Sequence, residues 1–180
     1  LDEYLAPVWT CEQPLTAVYR QDKSGQERKI AEGFERSRIL SATVDGHEIT
    51  WVERHVVLRS LPQAEAAERA LRRRLQQAQQ AIETLNERKQ GKKRFTDVEL
   101  LRQATEALIQ QHHVEGLLEV QYNEHVHERH VRKYKERPAE VRIERQVSVV
   151  VQWNESAVQE TLRSLGWRVY GTNAPTEELS

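Results

Sequence analysis

The sequence predicts an α+β fold in which an antiparallel β-sheet carries a long α-helical hairpin. Two stretches predict it. Between residues 61 and 113, Ala64, Ala67, Leu71, Leu75, Ala78, Ile82 and Leu85 recur three or four apart, the spacing of one helical stripe. Between 141 and 153, Val141, Ile143, Val147, Val149, Val151 and Trp153 alternate with Arg142, Glu144, Gln146 and Gln152, as in an antiparallel strand with one wet face.

Residues 1–60 read as a β-rich segment. Trp9, Leu15, Val18 and Tyr19 form an apolar patch, residues 21–26 make a turn, and the charged residues 27–38 around Ile30, Ala31 and Phe34 suggest a short helix. Asp45-Gly46 is a hairpin turn between alternating flanks that lead to Ile49, Trp51 and the apolar run Val56-Val57-Leu58.

Residues 61–113 form the helical hairpin arm. Pro62 stands near the start of its first helix, where a missing N–H costs nothing. Gln90-Gly91-Lys92-Lys93-Arg94 breaks the pattern. Thr96 and Glu99 then make a capping box, Phe95 can staple onto Leu100, and Leu101, Ala104 and Leu108 face inward. A short loop makes two such helices antiparallel neighbours, and the Ala-rich stripe buries little area without more protein beside it.

Residues 114–166 read as a β-hairpin and a short helix. Gly116 is the expected cap of the second arm helix, and Leu118, Val120, Tyr122 and Val126 share one strand face. Pro138 precedes the cleanest strand. Asn154 caps a helix that turns Val158, Leu162 and Leu165 inward and ends at Gly166. In 167–180, Trp167-Arg168-Val169-Tyr170 is a last strand, stopped by Thr172-Asn173-Ala174-Pro175, and Thr176-Glu177-Glu178 opens a helix the chain does not complete.

The 180 residues are 38% hydrophobic and 31% charged, which suits a modest core under a large wet surface. Neither a membrane-length apolar run nor a secretory signal is present, and Cys11 is the only cysteine. These features point to a cytoplasmic protein with no membrane partner and no intramolecular disulfide. The formal net charge of -1 means that any argument for nucleic acid must rest on local patches. The absence of methionine suggests an internal fragment.

Few residues suggest chemistry. His125, His127 and His130 have a spacing seen among zinc ligands. They resemble the first ligand motif of the metallo-β-lactamase fold, although Arg129 stands where that motif is acidic, and a solvated hairpin tip accounts for the same residues. His112 and His113 suit the dipole at a helix C-terminus. No Gly-rich phosphate loop, nucleophile elbow or paired-cysteine motif is present. Basic residues cluster at Arg72-Arg73-Arg74, at Lys89, Lys92, Lys93 and Arg94 on the arm tip, and at Arg129, Arg132, Lys133, Lys135 and Arg137. Such clusters either neutralise phosphates or form solvated faces balanced by Glu65, Glu68, Glu83 and Glu87.

The segment from Gly166 to Pro175, Gly-Trp-Arg-Val-Tyr-Gly-Thr-Asn-Ala-Pro, resembles a part of the DDE transposases of bacterial insertion sequences. In the branch with a Tyr-Arg-Glu-Lys signature, a Trp-bearing strand ends in Thr-Asn or Thr-Ser before the helix that brings in the catalytic Glu. Trp51 to Ser60, Arg94 to Asp97 and Val114 to Val120 are similar to further stretches of that branch, so the resemblance spans most of residues 30–175. It implies an RNase H-like fold with a long insertion before the last catalytic residue. This chain would be that insertion plus the strand returning to an incomplete core.

The resemblance implies DNA transposition by the parent, through transposon-end cleavage and strand transfer. Its Mg2+ or Mn2+ ions would be held by three carboxylates lying outside this chain, so this chain holds no catalytic residue and binds no metal. The implied partner is double-stranded DNA at the transposon ends, with a homodimer among the arrangements open to the parent's synaptic complex. Trp167 matches a Trp that stacks on a flipped base in relatives with a hairpin intermediate, and a core position behind Gly166 is the other reading of it. Thr172 and Asn173 would lie at the active-site edge, or simply end the strand. The implied DNA contacts are Trp167, Thr172, Asn173, Lys89, Lys92, Lys93 and Arg94. The rival reading is a non-enzymatic module whose helical hairpin pairs with another subunit through its Ala-rich stripe.

Overall fold

A computed structural model describes residues 1–87, 95–131 and 140–173. Its elements, in chain order, are α1 (Asp2–Trp9), β1 (Thr16–Gln21), β2 (Glu27–Val44), β3 (His47–Ser60), α2 (Leu61–Glu83), a 3-10 turn (Thr84–Asn86), α3 (Val98–His112), β4 (Leu118–Val131), β5 (Glu140–Trp153), α4 (Glu155–Ser164) and β6 (Trp167–Thr172). The fold is α+β with antiparallel sheets. It divides into two compact units: Leu1–Arg69 with the described part of Leu162–Ser180, and Ala70–Thr161.

The first unit is a four-stranded sheet of order β1-β2-β3-β6. Strand alternation sends Phe34, Val57 and Trp167 to one face, where Leu5 of α1 completes a core that Tyr4, Val8 and Leu15 flank. Two expectations are corrected here. Residues 2–9 form a helix, with Asp2 and Glu3 complementing the dipole of its first turn. Residues 27–38 extend as part of β2, because both edges of that stretch find partners in β1 and β3. Gly33 permits this pairing: a Cβ there would lie 2.3 Å from the Val57 carbonyl oxygen. The hairpin turn is as expected, with φ of 51° at Asp45 and 78° at Gly46, both positive as a type I′ turn requires. The turn at Asp22 also forms, its carboxylate accepting from the Ser24 hydroxyl and the Gln26 and Ser24 N–H groups, which together hold its pKa below the usual value.

The second unit joins what the sequence drew as two pieces. Ile82 of α2 and Leu101 of α3 share a cluster with Val147, Val149 and Val151 of β5, and Phe95, Val98, Leu108, Leu118, Val120 and Tyr122 close around it. The two arm helices therefore bury their stripes on the β4–β5 hairpin, whose valines supply the area that the alanines lack. Asn86 fastens the end of α2 to the sheet: its side chain donates to the Val149 carbonyl at 2.7 Å and accepts from the Val149 N–H at 2.9 Å.

The α3 ends are also corrected. Asp97, rather than Thr96, is the N-cap, accepting from Glu99 N–H at 2.7 Å. His113, rather than Gly116, is the C-cap, in the left-handed region at φ 52° and ψ 55°. Leu100 faces solvent while Phe95 joins the Leu101 cluster, so the expected staple does not form. Asn154 caps α4 as expected, accepting from Ala157 N–H at 3.1 Å, and Gly166 ends that helix at φ 81°.

Candidate functional site

The last strand decides where several candidate residues lie. β6 pairs antiparallel with β3, from Arg59 opposite Trp167 to Arg54 opposite Thr172. Trp167 is 8% exposed, inside the core of the first unit, and its indole N–H donates to the Arg163 carbonyl at 3.1 Å. This is the core placement weighed above: stacking on a base would require the ring to leave that cluster. Thr172 and Asn173 end the strand, half-buried and exposed respectively. Lys89, Lys92, Lys93 and Arg94 lie outside the described residues, as do Arg132, Lys133, Lys135 and Arg137. Arg72 and Arg73 are exposed, whereas Arg74 donates to the His113 carbonyl at 3.4 Å and so closes the end of α3.

Beside the end of β6 lies a polar cluster that the sequence reading missed. His55, on the core-facing side of β3, is nearly buried. Its Nδ1 meets the Tyr4 hydroxyl of α1, and its Nε2 lies 2.8 Å from Glu53 Oε1. An imidazole protonated on Nε2 satisfies both: Tyr4 O–H donates to Nδ1, and Nε2–H donates to the carboxylate. The Arg38 guanidinium sits 5.1 Å from the Tyr4 ring centroid and pairs with Glu3. The Glu53 carboxylate lies against Gly171 of β6, where a Cβ would stand 2.4 Å from Oε1. A phenol, an imidazole and a carboxylate thus form one hydrogen-bonded chain linking α1, β3 and β6. Such a chain can hold or pass a proton, and it fastens the helix to the sheet. The available signal was parity: His55 shares its strand face with Val57, so a polar group was due on the core side.

Charged groups stand elsewhere on this sheet too, Glu32 and Arg59 on the core-facing side and Arg54 and Glu35 on the opposite one. Glu32 takes a hydrogen bond from Lys29 at 2.8 Å and another from Arg59 at 3.4 Å, and these cations, Lys29 foremost, hold its carboxyl below the usual range. Arg54 lies 3.9 Å from Glu35, and its Nε is buried without a hydrogen-bond partner. Nearby, Thr16, Val18, Glu35, Val56 and Leu58 line an open groove of about 340 Å³ over Gly33.

In the second unit the strand period separates the histidines. His125 and His127 share one face of β4, whereas His130 falls on the other. Among the described residues no three His, Cys, Asp or Glu side chains gather as a metal site, and no helix is long and apolar enough to cross a membrane. The Ala-rich stripe is occupied within the chain: Leu71, Leu75, Ala78 and Ile82 are all buried. No protein-family model, curated protein or solved structure matches this chain.

Proposed function

We propose that this chain is an accessory lobe of a DDE-type transposase, gripping transposon-end DNA through its backbone while carboxylates elsewhere in the parent cut and join strands. The observation that carries this reading is the pairing of β3 with β6. Two of the stretches that resemble the family, Trp51 to Ser60 and Gly166 to Asn173, are over a hundred residues apart in sequence and adjacent in one sheet. The half-buried Thr172 and the exposed Asn173 then end this strand, where a hydroxyl and an amide suit phosphate oxygens. In this role the lobe positions DNA without reading bases, and the Mg2+ or Mn2+ of the parent has no ligands here.

The test is duplex binding measured by fluorescence anisotropy over a salt series. If the lobe neutralises roughly three phosphates, affinity falls about 40-fold between roughly 50 and 200 mM salt. The chain alone leaves the duplex uncut when Mg2+ is added. Absence of binding at the lowest salt, or binding indifferent to salt, defeats the proposal.

A further inference from the structure

The Tyr4–His55–Glu53 chain has the make-up of a nucleophile, its base and the group that orients the base. A phenol that merely pinned α1 to the sheet would be served by any acceptor. Here the acceptor is an imidazole nitrogen, His55 Nδ1, and the opposite ring nitrogen lies 2.8 Å from the Glu53 carboxylate. That carboxylate holds the tautomer in which Nδ1 can take a proton, and it stabilises the imidazolium that results. The Tyr4 and His55 rings meet edge to face, with centroids 5.6 Å apart. Two cations stand beside them. The Arg38 guanidinium, also paired with Glu3, lies 5.1 Å from the centre of the Tyr4 ring, where it steadies negative charge building on the phenol as its proton leaves. Arg36 is directly across the ladder from His55 and shares its face. It is exposed and has neither a hydrogen bond nor an ion pair among the described residues. A free guanidinium in that place suits the oxygens of a phosphoryl group.

We propose that Tyr4 is a nucleophile that takes up an activated phosphoryl group, with His55 as its general base, Glu53 as the positioning residue and Arg36 as the contact for the phosphoryl oxygens. Tyr4 Oη forms the new bond to phosphorus while its proton passes to His55 Nδ1. The bond from phosphorus to the leaving group breaks, and its electron pair goes with that group. Displacement at phosphorus is in line, so the leaving group departs on the side away from Oη, beyond reach of the His55 proton. Only a group stable as an anion leaves on these terms, such as an aryloxide or the phosphate of an anhydride. The alkoxide of a DNA strand does not. This chemistry is therefore independent of the DNA-binding reading, which stands or falls on the salt series, and it leaves a duplex intact.

Incubation of the full chain with bis(4-nitrophenyl) phosphate at neutral pH reads the outcome. Nitrophenolate is released as a single burst, and peptide mass spectrometry finds the nitrophenyl phosphoryl group on Tyr4. Tyr19 and Tyr170, 58% and 48% exposed, are the internal controls and stay unlabelled, because exposure without a base does not activate a phenol. Tyr4→Phe abolishes the burst, and His55→Gln slows it by about 100-fold or more. Glu53→Gln lowers the limiting rate and Arg36→Gln raises the half-saturating probe concentration, each with an unchanged circular dichroism spectrum. The adduct is mapped on the unaltered chain, so the result does not depend on any variant folding. Absence of an adduct, labelling of Tyr19 or Tyr170 as readily as Tyr4, or a Tyr4 adduct indifferent to His55→Gln, Glu53→Gln or Arg36→Gln overturns the proposal.

Discussion

Glu32 illustrates how single residues here depend on partners far along the chain. Lys29 is close in sequence, but Arg59 reaches it only because β2 and β3 pair in this register. Both cations favour the carboxylate, so the folded pKa lies below the unfolded one. The resulting stability is present above the ordinary carboxyl value of 4.5 and is lost as pH falls through the lower folded value. Glu32→Gln is therefore expected to cost up to about 1 kcal/mol at pH 7. Urea unfolding across a pH series checks this: the two proteins converge in acid. His55 teaches the same lesson without a charge argument. Glu53 is its neighbour along β3, but only α1 and β6 closing over that strand bring Tyr4 and Gly171 to the pair.

At the level of elements, the junction between α4 and β6 is closely packed. Gly166 adopts φ 81°, and a Cβ there would lie 2.7 Å from both the Ala64 Cβ and the Ser60 carbonyl oxygen. Gly166→Ala combines left-handed strain with overpacking against backbone, and we expect a loss of about 2–4 kcal/mol by urea unfolding. That helix end was readable because Gly after an apolar stripe is a local signal. The β2 strand was not readable from 27–38, where charged residues fit either period. Pairing on both edges, and the close approach that Gly33 allows, made it a strand. Similarly, Thr96 and Asp97 both qualify as caps by composition, and the backbone turn decides which oxygen reaches Glu99 N–H.

At the scale of the whole chain, each unit has its own core, one around Val57 and one around Val149. Local stability follows burial and ladder protection. Hydrogen–deuterium exchange should therefore find the slowest amides near Val57 in β3 and near 147–151 in β5. Those from 43 to 48 at the ribbon tip should exchange much faster. Equal protection along the whole β2–β3 ribbon at low protein concentration would contradict this picture.

The sequence by itself determined which segments are helices and which are strands beyond residue 47, where the Asp45-Gly46 turn lies, and which face of α2 and β5 is apolar. Period, turn chemistry and caps are short-range properties, written within a few residues. Only the tertiary structure decided what each face meets: the arm helices on the β4–β5 hairpin, Trp167 inside a core, and His55 between a phenol and a carboxylate. Burial is set by partners distant in the chain, and a local pattern says which side is apolar without saying what will cover it.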